Sequence, residues 1–425
     1  MVRRSARRGT IRRIGNSPLL YVLAALALVM AACSSGSDGG SEGSNGTEEL
    51  VIGVLSLESG FFATLGIPYQ TAMQIAVDEV NDQGGLEVGD KTYHVTLDVQ
   101  DTKLDVPTAL SIAEEMITRD GIKFIMSVGD PIDTAVAPLT NRNKVIMLAE
   151  TINLEPVEEG VGPYTFGTLP TPYECSIILF EALAELHPEA TRVAFVGPDF
   201  EFSRIQWEGI QEGGNEVGGL EFGAAEFYAD PNDAASIAQR TIADDPDVIL
   251  IGSVGLDGAA IIRAIRNLGY DGLFATAHAQ PSSAQLIDAF EGQEELIEEY
   301  LSVEDQPYME DNAALQTLFD EYSERAAGTE ITPEGLPTFY AGILTLFQAL
   351  QDAGTVSDPD AIVDALENVS VKTPVWTDLS GNELEITYGG VEKLGHDHQI
   401  EMPVAVNVIR GGEVETLDVQ VAEVE

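Results

Sequence analysis

The sequence predicts an α/β protein with two doubly wound lobes, each built on a parallel sheet with helices on both faces. The first observation is an alternation of short apolar, β-rich runs with helical patterns from residue 50 to residue 277. The second is that these runs form two groups of four strand–helix pairs, a pattern typical of parallel sheets. Two groups in 425 residues predict two lobes, because one hydrophobic core rarely grows that large.

The first group starts with the apolar run 50–55, followed by a helical pattern over 67–83 with Ala72, Ile75, Ala76 and Val80 on one face. Residues 94–101 alternate strictly between apolar and polar side chains, which indicates a half-buried strand. The rest of the group predicts strands at 122–128 and 145–149 and helices at 106–119 and 133–143.

The second group repeats this rhythm and is followed by a different tail. Its expected strands are 193–196, 221–228, 248–251 and 273–277, and its helices are 172–186, 202–211, 234–243 and 258–268. Helical patterns then dominate, at 281–290, 312–327, 337–353 and 359–369. The tail predicts antiparallel strands at 384–388, 403–410 and 414–421, the last two joined by a turn at Gly411-Gly412.

The N-terminus has the pattern of a secretory signal. Six arginines precede an apolar run of 14 residues, 19–32, which suits a signal peptide better than a membrane span. The run ends in Met30-Ala31-Ala32-Cys33, which resembles a bacterial lipobox and predicts a diacylglycerol on Cys33. Residues 34–47 are mostly Ser and Gly, as expected of a flexible tether. The alternative is an ordinary secretory signal with a chance cysteine.

Charge and cysteine content exclude several classes of protein. The formal net charge is −50, and it is more negative once the six arginines of the signal are removed. Such a chain repels nucleic acid and anionic lipid surfaces. Once Cys33 is lipidated, Cys175 is the only thiol, so no internal disulfide is possible. The acidity favours a saline habitat, or simply a soluble surface.

The sequence contains few motifs that indicate catalysis. It lacks H-E-x-x-H, G-x-S-x-G, C-x-x-C and the phosphate-binding G-x-x-x-x-G-K-[ST] pattern. The first strand leads into Ser56-Leu57-Glu58-Ser59-Gly60 and not into a dinucleotide fingerprint. His396 and His398 flank Asp397 without a marked third ligand, so surface histidines are a simpler reading than a metal site. We expect neither an enzyme nor a cofactor.

Open parallel sheets bind ligands beyond the carboxyl ends of their strands. In the first group this rule selects the loops 56–66, 101–105, 127–133 and 150–154. In the second group it selects 197–203, 253–257 and 278–280. Two lobes that face each other through these loops would form a cleft that closes on a small molecule.

These residues resemble the branched-chain amino-acid-type (type I) family of periplasmic binding proteins over residues 50–412. The resemblance rests on the order and spacing of several short segments, each weak alone. They are Ile52-Gly53-Val54 with Glu58-Ser59-Gly60 and Leu65-Gly66, Ala76-Val77-Asp78-Glu79-Val80-Asn81 before Gly84-Gly85, Thr134-Ala135-Val136-Ala137-Pro138, Pro163-Tyr164-Thr165-Phe166, and Ile261-Ile262-Arg263-Ala264-Ile265-Arg266 before Gly269.

The resemblance implies two α/β lobes joined by three crossovers, with a ligand held between them and delivered to ABC permease subunits. The expected organisation is a signal peptide at 1–32 and a tether at 33–48. Residues 49–168 and 278–375 are expected in lobe 1, and 169–277 and 376–425 in lobe 2. The chain would be a monomer outside the cytoplasmic membrane, anchored by the lipid on Cys33, with a hinge near Thr168, Ala277 and Val375.

The resemblance also implies a ligand site. Relatives that bind amino acids hold the ligand carboxylate at helix N-termini and its ammonium group with an acid of the second lobe. That acid matches Asp257, which could instead only cap the following helix. Phe202 and Phe62 match aromatic positions beside the ligand, although either could belong to the core. Ser127, Tyr173 and His278 complete the expected set.

The first lobe departs from the family pattern. Relatives often place small hydroxyl residues or glycines where this chain has Gly129-Asp130, and Glu150 and Thr151 fall in a segment whose register is open by one residue. Asp130 and Glu150 would repel a ligand carboxylate. Either one of them points away or is a solvated loop residue, or the ligand is richer in positive charge or hydroxyl groups than leucine.

The function expected from these observations is that of a solute-binding lipoprotein of an ABC importer that takes an amino acid or a similar small polar ligand. An amide, a urea-like compound, a carboxylate or a polyamine is an alternative ligand. A sensory ectodomain is an alternative function.

Overall fold

The computed structural model describes the chain in seven ranges: 47–60, 63–150, 162–252, 257–278, 282–326, 335–389 and 398–421. These described residues belong to one compact unit, in which each of two lobes is built on one large sheet. Among the helices of these ranges, none combines the length and apolar character that crossing a bilayer requires. The two-lobed α/β architecture predicted from the sequence is confirmed.

The first sheet has six strands in the order β2-β3-β1-β4-β5-β6. All neighbours are parallel except β2, which pairs with β3 in an antiparallel hairpin. Short β2 and β6 were not predicted from the sequence. The strands are β1 (Glu48–Ser56), β2 (Leu86–Val88), β3 (Lys91–Asp101), β4 (Phe124–Val128), β5 (Ile146–Glu150) and β6 (Thr165–Gly167).

Helices cover both faces of this sheet. Successive residues of its strands point to opposite faces, and the apolar side chains on each face are buried in a separate core. One core packs against α1 (Ala63–Asp82), and the other against α2 (Val106–Glu115) and α3 (Asp130–Arg142). Along β4, Phe124 and Met126 face the first core and Ile125 faces the second. A π-turn at Met116–Asp120 extends α2 and ends at Gly121 in the left-handed conformation.

The second sheet has seven strands in the order β16-β15-β11-β10-β9-β7-β8. Its parallel part runs from β11 to β8, and the antiparallel pair β15–β16 closes the other edge. The predicted turn at Gly411-Gly412 joins that pair. The strands are β7 (Arg192–Pro198), β8 (Glu221–Tyr228), β9 (Val248–Ile251), β10 (Leu273–Ala277), β11 (Leu301–Glu304), β15 (Pro403–Arg410) and β16 (Glu413–Val421).

The same alternation places helices on both faces of the second sheet. One face packs against α4 (Pro172–Leu186) and α5 (Glu201–Val217). The other packs against α6 (Ala234–Thr241), α7 (Asp257–Asn267) and α8 (Ser283–Ala289). Strand β9 supplies both faces, with Leu250 toward α4 and Ile249 toward α7.

The C-terminal third returns to the first lobe. Helices α9 (Ala313–Arg325), α10 (Leu336–Ala353) and α11 (Pro359–Leu366) lead into a small antiparallel sheet. Trp376 and Ile386 of that sheet are fully buried in the core that α1 shares with the first sheet. Its strands are β12 (Ser370–Thr377), β13 (Glu383–Tyr388) and β14 (Ile400–Glu401).

The chain crosses between the lobes at three places, after β6, after β11 and after β14. The first and third crossovers lie side by side, because the amide of Gly167 donates to the carbonyl of His398 at 2.8 Å. The middle crossover is tied to the second sheet by the side-chain amide of Asn407, which donates to the carbonyl of Gln306 at 3.2 Å.

Two of the crossovers differ from the boundaries expected at residues 278 and 375. Residues 301–304 pair with β10 and β15 and so belong to the second sheet, whereas the sequence analysis assigned 278–375 to the first lobe. The sequence placed the change to the second lobe at residues 375–376, yet strands β12 and β13 pack into the core that α1 shares with the first sheet. The physical reason is the short strand Leu-Ser-Val-Glu, whose four residues carry too weak a pattern to be recognised in the sequence.

Gly66 allows α1 to pack closely onto the loop that follows β1. A Cβ atom at Gly66 would overlap the carbonyl oxygen of Leu57, whereas one at Gly342 in α10 would have Thr168 as its nearest neighbour at 3.9 Å. We expect Gly66→Ala to lower the free energy of unfolding by about 1–3 kcal/mol, because the overlap is with backbone.

The matched control is Gly342→Ala, also inside a helix, which should be neutral or stabilise the protein by up to about 1 kcal/mol through helix propensity. Urea denaturation of both variants measures the difference. Equal stabilities for the two variants would contradict the packing argument.

Candidate functional site

The carboxyl edge of the first sheet carries a group of acidic side chains. Strand β4 ends at Val128, and Gly129 is the N-cap of α3, which begins with Asp130. Strand β5 ends next to it at Glu150. Because parallel strands end on the same side of a sheet, the fold brings the predicted residues Ser127, Asp130 and Glu150 together.

The carboxylate of Glu150 occupies the N-terminus of α3. The amide of Gly129 donates to Oε2 of Glu150 at 2.8 Å. A helix N-terminus is a favourable place for an anion, because its free amides and its dipole both attract negative charge. Burial and the charges of Asp130 and Asp133 nevertheless raise the pKa of Glu150 well above its ordinary value, and the Gly129 amide opposes this only in part.

Asp133 lies beneath this edge in the first turn of α3 and is fully buried. Burial raises the pKa of Asp133 well above its ordinary value, a nearby Ser127 hydroxyl lowers it in part, and the charge of Asp130 raises it further. Neither carboxylate oxygen of Asp133 forms a hydrogen bond of normal geometry within the described ranges, nor does the Ser127 hydroxyl. The sequence analysis included Asp133 in a loop but did not recognise it as part of the site.

The middle crossover brings a fourth carboxylate to the same place. Asp305 follows β11 directly, and its charge contributes to the raised pKa of Glu150. Burial, together with the neighbouring charge of Glu304, raises the pKa of Asp305 to about 7. The hydroxyl of Thr338 on α10 donates to the backbone carbonyl of Asp305 at 3.1 Å, which ties the crossover to the first lobe.

Glu304, the neighbour of Asp305, is fully occupied by neutral donors. Its Oε1 accepts hydrogen bonds from the amide of Ser283 at 2.9 Å and from the hydroxyls of Ser283 and Ser302 at 2.6 Å each. The hydroxyl of Tyr308 donates to Oε2 at 3.0 Å. Glu304 therefore fixes the end of β11, while Asp305 is the residue that faces the site.

The carboxyl edge of the second sheet holds Asp257, the first residue of α7. Burial raises the pKa of Asp257 above its ordinary value. Its charge in turn adds to the burial that raises the pKa of Tyr228, at the end of β8. The Tyr228 hydroxyl is buried without a hydrogen-bond partner in the described part of the chain, so Asp257 and Tyr228 form a second polar group, separate from the first.

His278 ends β10 at the same edge and has a left-handed backbone, with φ of 69°. Its carbonyl accepts a hydrogen bond from the side-chain amide of Gln206 at 3.0 Å. Burial lowers the pKa of His278 to about 4, against a hydrogen bond to the Pro170 backbone that raises it. His278 is therefore neutral at physiological pH and connects the second sheet to the first crossover.

Two apolar side chains of α5 lie between the lobes. Phe202 and Ile205 pack against the core of the first lobe, although α5 belongs to the second. Phe200, two residues earlier, is 54% exposed at the end of the loop after β7. The structure thus places Phe202 at a contact between lobes, and Phe200 is an exposed aromatic that the sequence analysis did not select.

Tyr173 is 3% exposed in the first turn of α4, where burial raises the pKa of its hydroxyl and the charges of Glu212 and Glu174 raise it further. Its backbone lies against Gly209 and Gly213 of α5. Phe62, Thr151 and Cys33 lie outside the described residues.

Glu174 closes the first turn of α4 in a capping box with Thr171. The amide of Thr171 donates to Glu174 Oε2 at 2.7 Å, and the amide of Glu174 donates to the Thr171 hydroxyl at 3.3 Å. This arrangement satisfies two free amides at the helix start. Burial raises the pKa of Glu174 to about 7 despite these bonds.

The acids at these edges are not arranged to hold a metal ion. Within the described ranges, no group of three His, Cys, Asp or Glu side chains has the geometry to do so. What the arrangement can do is interact with a polar or cationic molecule between the two edges.

The buried carboxyls should make stability depend on pH. Asp305 has a pKa of about 7 in the folded chain, against 3.8 for an ordinary aspartate, so the native state retains a proton that the unfolded chain has lost. Stability therefore falls as pH rises from about 4 to about 7. Asp305→Asn removes this cost. The free energy of unfolding of the variant minus that of the parent should therefore be about 1–3 kcal/mol larger at pH 8 than at pH 4.

Urea denaturation at several pH values measures this difference. Glu208→Gln, which removes an exposed acid of α5, is the matched control and should run parallel to the parent. Parallel curves for the parent and Asp305→Asn would contradict the burial of this carboxyl.

Comparison with known proteins identifies the family. The family model for periplasmic binding proteins matches residues 49–413. A branched-chain amino acid ABC transporter protein from Thermus thermophilus with bound valine has a TM-score of 0.73 and 15% identity, covering 89% of this chain and 97% of its own.

Two further solved structures share the fold. A leucine binding protein from Thermotoga maritima has a TM-score of 0.64 and 20% identity, covering 87% of this chain and 98% of its own. A solute binding protein from Rhodopseudomonas palustris BisB5 in complex with 3,4-dihydroxybenzoic acid has a TM-score of 0.68 and 17% identity, covering 88% and 98%.

These comparisons confirm the resemblance to periplasmic binding proteins, and with it a solute-binding role and an extracytoplasmic location. The chain belongs to the periplasmic binding protein family.

Proposed function

We propose that this protein captures a small polar solute with an ammonium group between its two lobes and presents it to an ABC permease. The observation that carries the proposal is the approach of the end of β11, a strand of the second sheet, to the acidic edge of the first sheet. Asp305 of the middle crossover affects the pKa of Glu150 on the first sheet, and Asp257 lies at the corresponding edge of the second. A ligand bound between these edges contacts both lobes.

Capture proceeds by closure of the lobes about the three crossovers. Such segments absorb backbone rotation while each sheet moves as a rigid body. A ligand that contacts both edges favours the closed form, because only that form offers both sets of contacts. The packing of Phe202 against the first lobe supports α5 as the contact that changes on closure.

The protein acts by binding and carries out no reaction. The sequence contains few motifs that indicate catalysis, and two of the relatives named above are described as binding proteins. The bound valine and 3,4-dihydroxybenzoic acid of two relatives support a fold that accepts chemically different solutes. Amino acids, amides, urea-like compounds, carboxylates and polyamines are therefore the compounds to screen.

The chain works as a lipid-anchored monomer. The lipobox-like residues before Cys33 and the Ser/Gly-rich segment after it support an anchor and a flexible tether. A tether of 14 residues reaches roughly 20 Å by the scaling for Gly-rich chains, which leaves the folded lobes free to close.

Asp257→Asn should lower the affinity for the ligand by about ten- to a hundredfold, because a charge-assisted contact to an ammonium is worth roughly 1.5–3 kcal/mol. The asparagine keeps the size of the side chain, so folding should hardly change. The ligand is first found by a thermal-shift screen, since binding raises the melting temperature, and its affinity is then measured by isothermal titration.

Glu208→Gln serves as the control for loss of one negative charge. Unchanged affinity in Asp257→Asn would leave Asp257 as a helix-terminal acid only, and would shift the contact to Glu150 or Asp130.

Cys33→Ser should release the protein from the membrane fraction, because the thioether bond to the lipid requires the sulfur. Fractionation followed by mass spectrometry should find a diacylated N-terminal cysteine in the parent only. Equal membrane association of the parent and the variant would refute the anchor.

A further inference from the structure

The anion site at the N-terminus of α3 is already filled. Glu150 Oε2 accepts the Gly129 amide at 2.8 Å, in the position where a helix start would otherwise attract an incoming anion. A ligand carboxylate placed there would lose this amide to Glu150 and would face its negative charge. The first edge therefore disfavours a carboxylate and favours a cation.

The surroundings of Glu150 strengthen this preference. Asp133 and Asp305 add two more carboxyls, whose ionised forms a bound cation would stabilise, and neither they nor Glu150 form an ion pair with a basic side chain of the described ranges. The hydroxyl of Ser127, 1% exposed, and both carboxylate oxygens of Asp133 lie within this group without a hydrogen-bond partner there. The Ser127 hydroxyl lies near enough to lower the pKa of Asp133 and can donate to one of its oxygens. Because buried polar atoms are almost always satisfied, the other oxygen points to a missing donor.

The second edge offers a separate acidic centre. Asp257 begins α7 on the second sheet, and burial raises its pKa. The buried hydroxyl of Tyr228 lies in the field of Asp257 and also has no partner in the described ranges. The two centres are on different sheets, and the acids within them do not converge on a metal site in those ranges. A single bound metal ion would therefore not contact both acidic centres.

Building on the proposed function, we infer that the solute is an organic dication without a carboxylate, such as a diamine or a guanidino-amine. One cationic end lies at the Glu150 group of the first lobe and the other at Asp257 of the second. The apolar middle of such a molecule passes Phe202 between the lobes. Each end forms charge-assisted hydrogen bonds with its acidic group. Only the closed form allows both ends to be bound at the same time.

A series of four-carbon compounds tests this inference by isothermal titration at physiological salt. It consists of 1,4-diaminobutane, 1-aminobutane, 4-aminobutanoate and butanoate, with leucine as the amino-acid reference. We expect one site per chain and an affinity for the diamine that is at least about tenfold higher than for the monoamine, because a second charge-assisted contact is gained. The two carboxylates and leucine should bind more weakly still.

Two variants locate the two ends. Glu150→Gln keeps an oxygen that accepts the Gly129 amide, and Asp257→Asn keeps the side-chain size, so both should fold. Each should lower the affinity for 1,4-diaminobutane by about tenfold or more. Because 1-aminobutane has a single cationic end, only one of the two variants should lower the affinity for it. Glu208→Gln, the exposed matched control, should leave the affinity for the diamine unchanged.

The possible outcomes separate the inference from the proposed function. Tighter binding of leucine or 4-aminobutanoate than of the diamine would overturn the dication and leave the solute-binding role intact. Several weak diamine sites per chain, equally reduced by Glu208→Gln, would also overturn it, as association with an acidic surface only. If no compound of this series or of the wider thermal-shift screen binds, both the inference and the proposed function fail.

Discussion

The structure depends on the direction of its parallel strands. Because parallel strands all end on the same edge of a sheet, polar residues far apart in sequence meet at one place in each lobe. Glu150 and Asp130 meet in this way at the end of β5 and the start of α3. The same rule at the second sheet brings Asp257 and His278 to one edge, and the crossover after β11 brings Asp305 near Glu150 of the first sheet.

Several acids at these edges are buried without a compensating positive charge, which costs stability. A carboxyl that is removed from water without an ionic partner takes up a proton more readily instead of remaining charged. Asp305 and Glu174, each with a pKa of about 7, follow this rule. Sites that trade stability for binding are expected to break local design rules, and those departures mark function. Glu174 departs for a structural reason, as part of a capping box, whereas Asp133 and Asp305 have no such role among the described residues.

The sequence was sufficient for the architecture because the apolar signal is strong where a strand is covered on both faces by apolar side chains. Val248–Ile251, four apolar residues, and the hairpin after Pro403 were predicted within a few residues. The strand Leu301–Glu304 is equally short but escaped recognition, because two of its four buried residues, Ser302 and Glu304, are polar. Missing that strand moved the expected crossover from Asp305 to Ala277.

The candidate site was predictable only where it follows recognised strands. Glu150, Asp130 and Ser127 were selected because they follow β5 or end β4, and the structure brings them together. Asp305 was missed together with β11. Tyr173 was selected from the family pattern and is buried in the first turn of α4, and its role at the ligand stays a prediction, because the direction of a side chain in a first helical turn depends on helix–helix packing that one sequence does not reveal. Whether these residues contact a ligand remains a proposal.

The central claim is that a solute bridges the two sheet edges and closes the lobes about three crossovers. Small-angle X-ray scattering of the protein, with and without a saturating amount of the compound that most raises its melting temperature, tests this claim most directly. The account predicts a smaller radius of gyration in the bound state, with the molecular mass of a monomer throughout. An unchanged radius of gyration at saturation would contradict it.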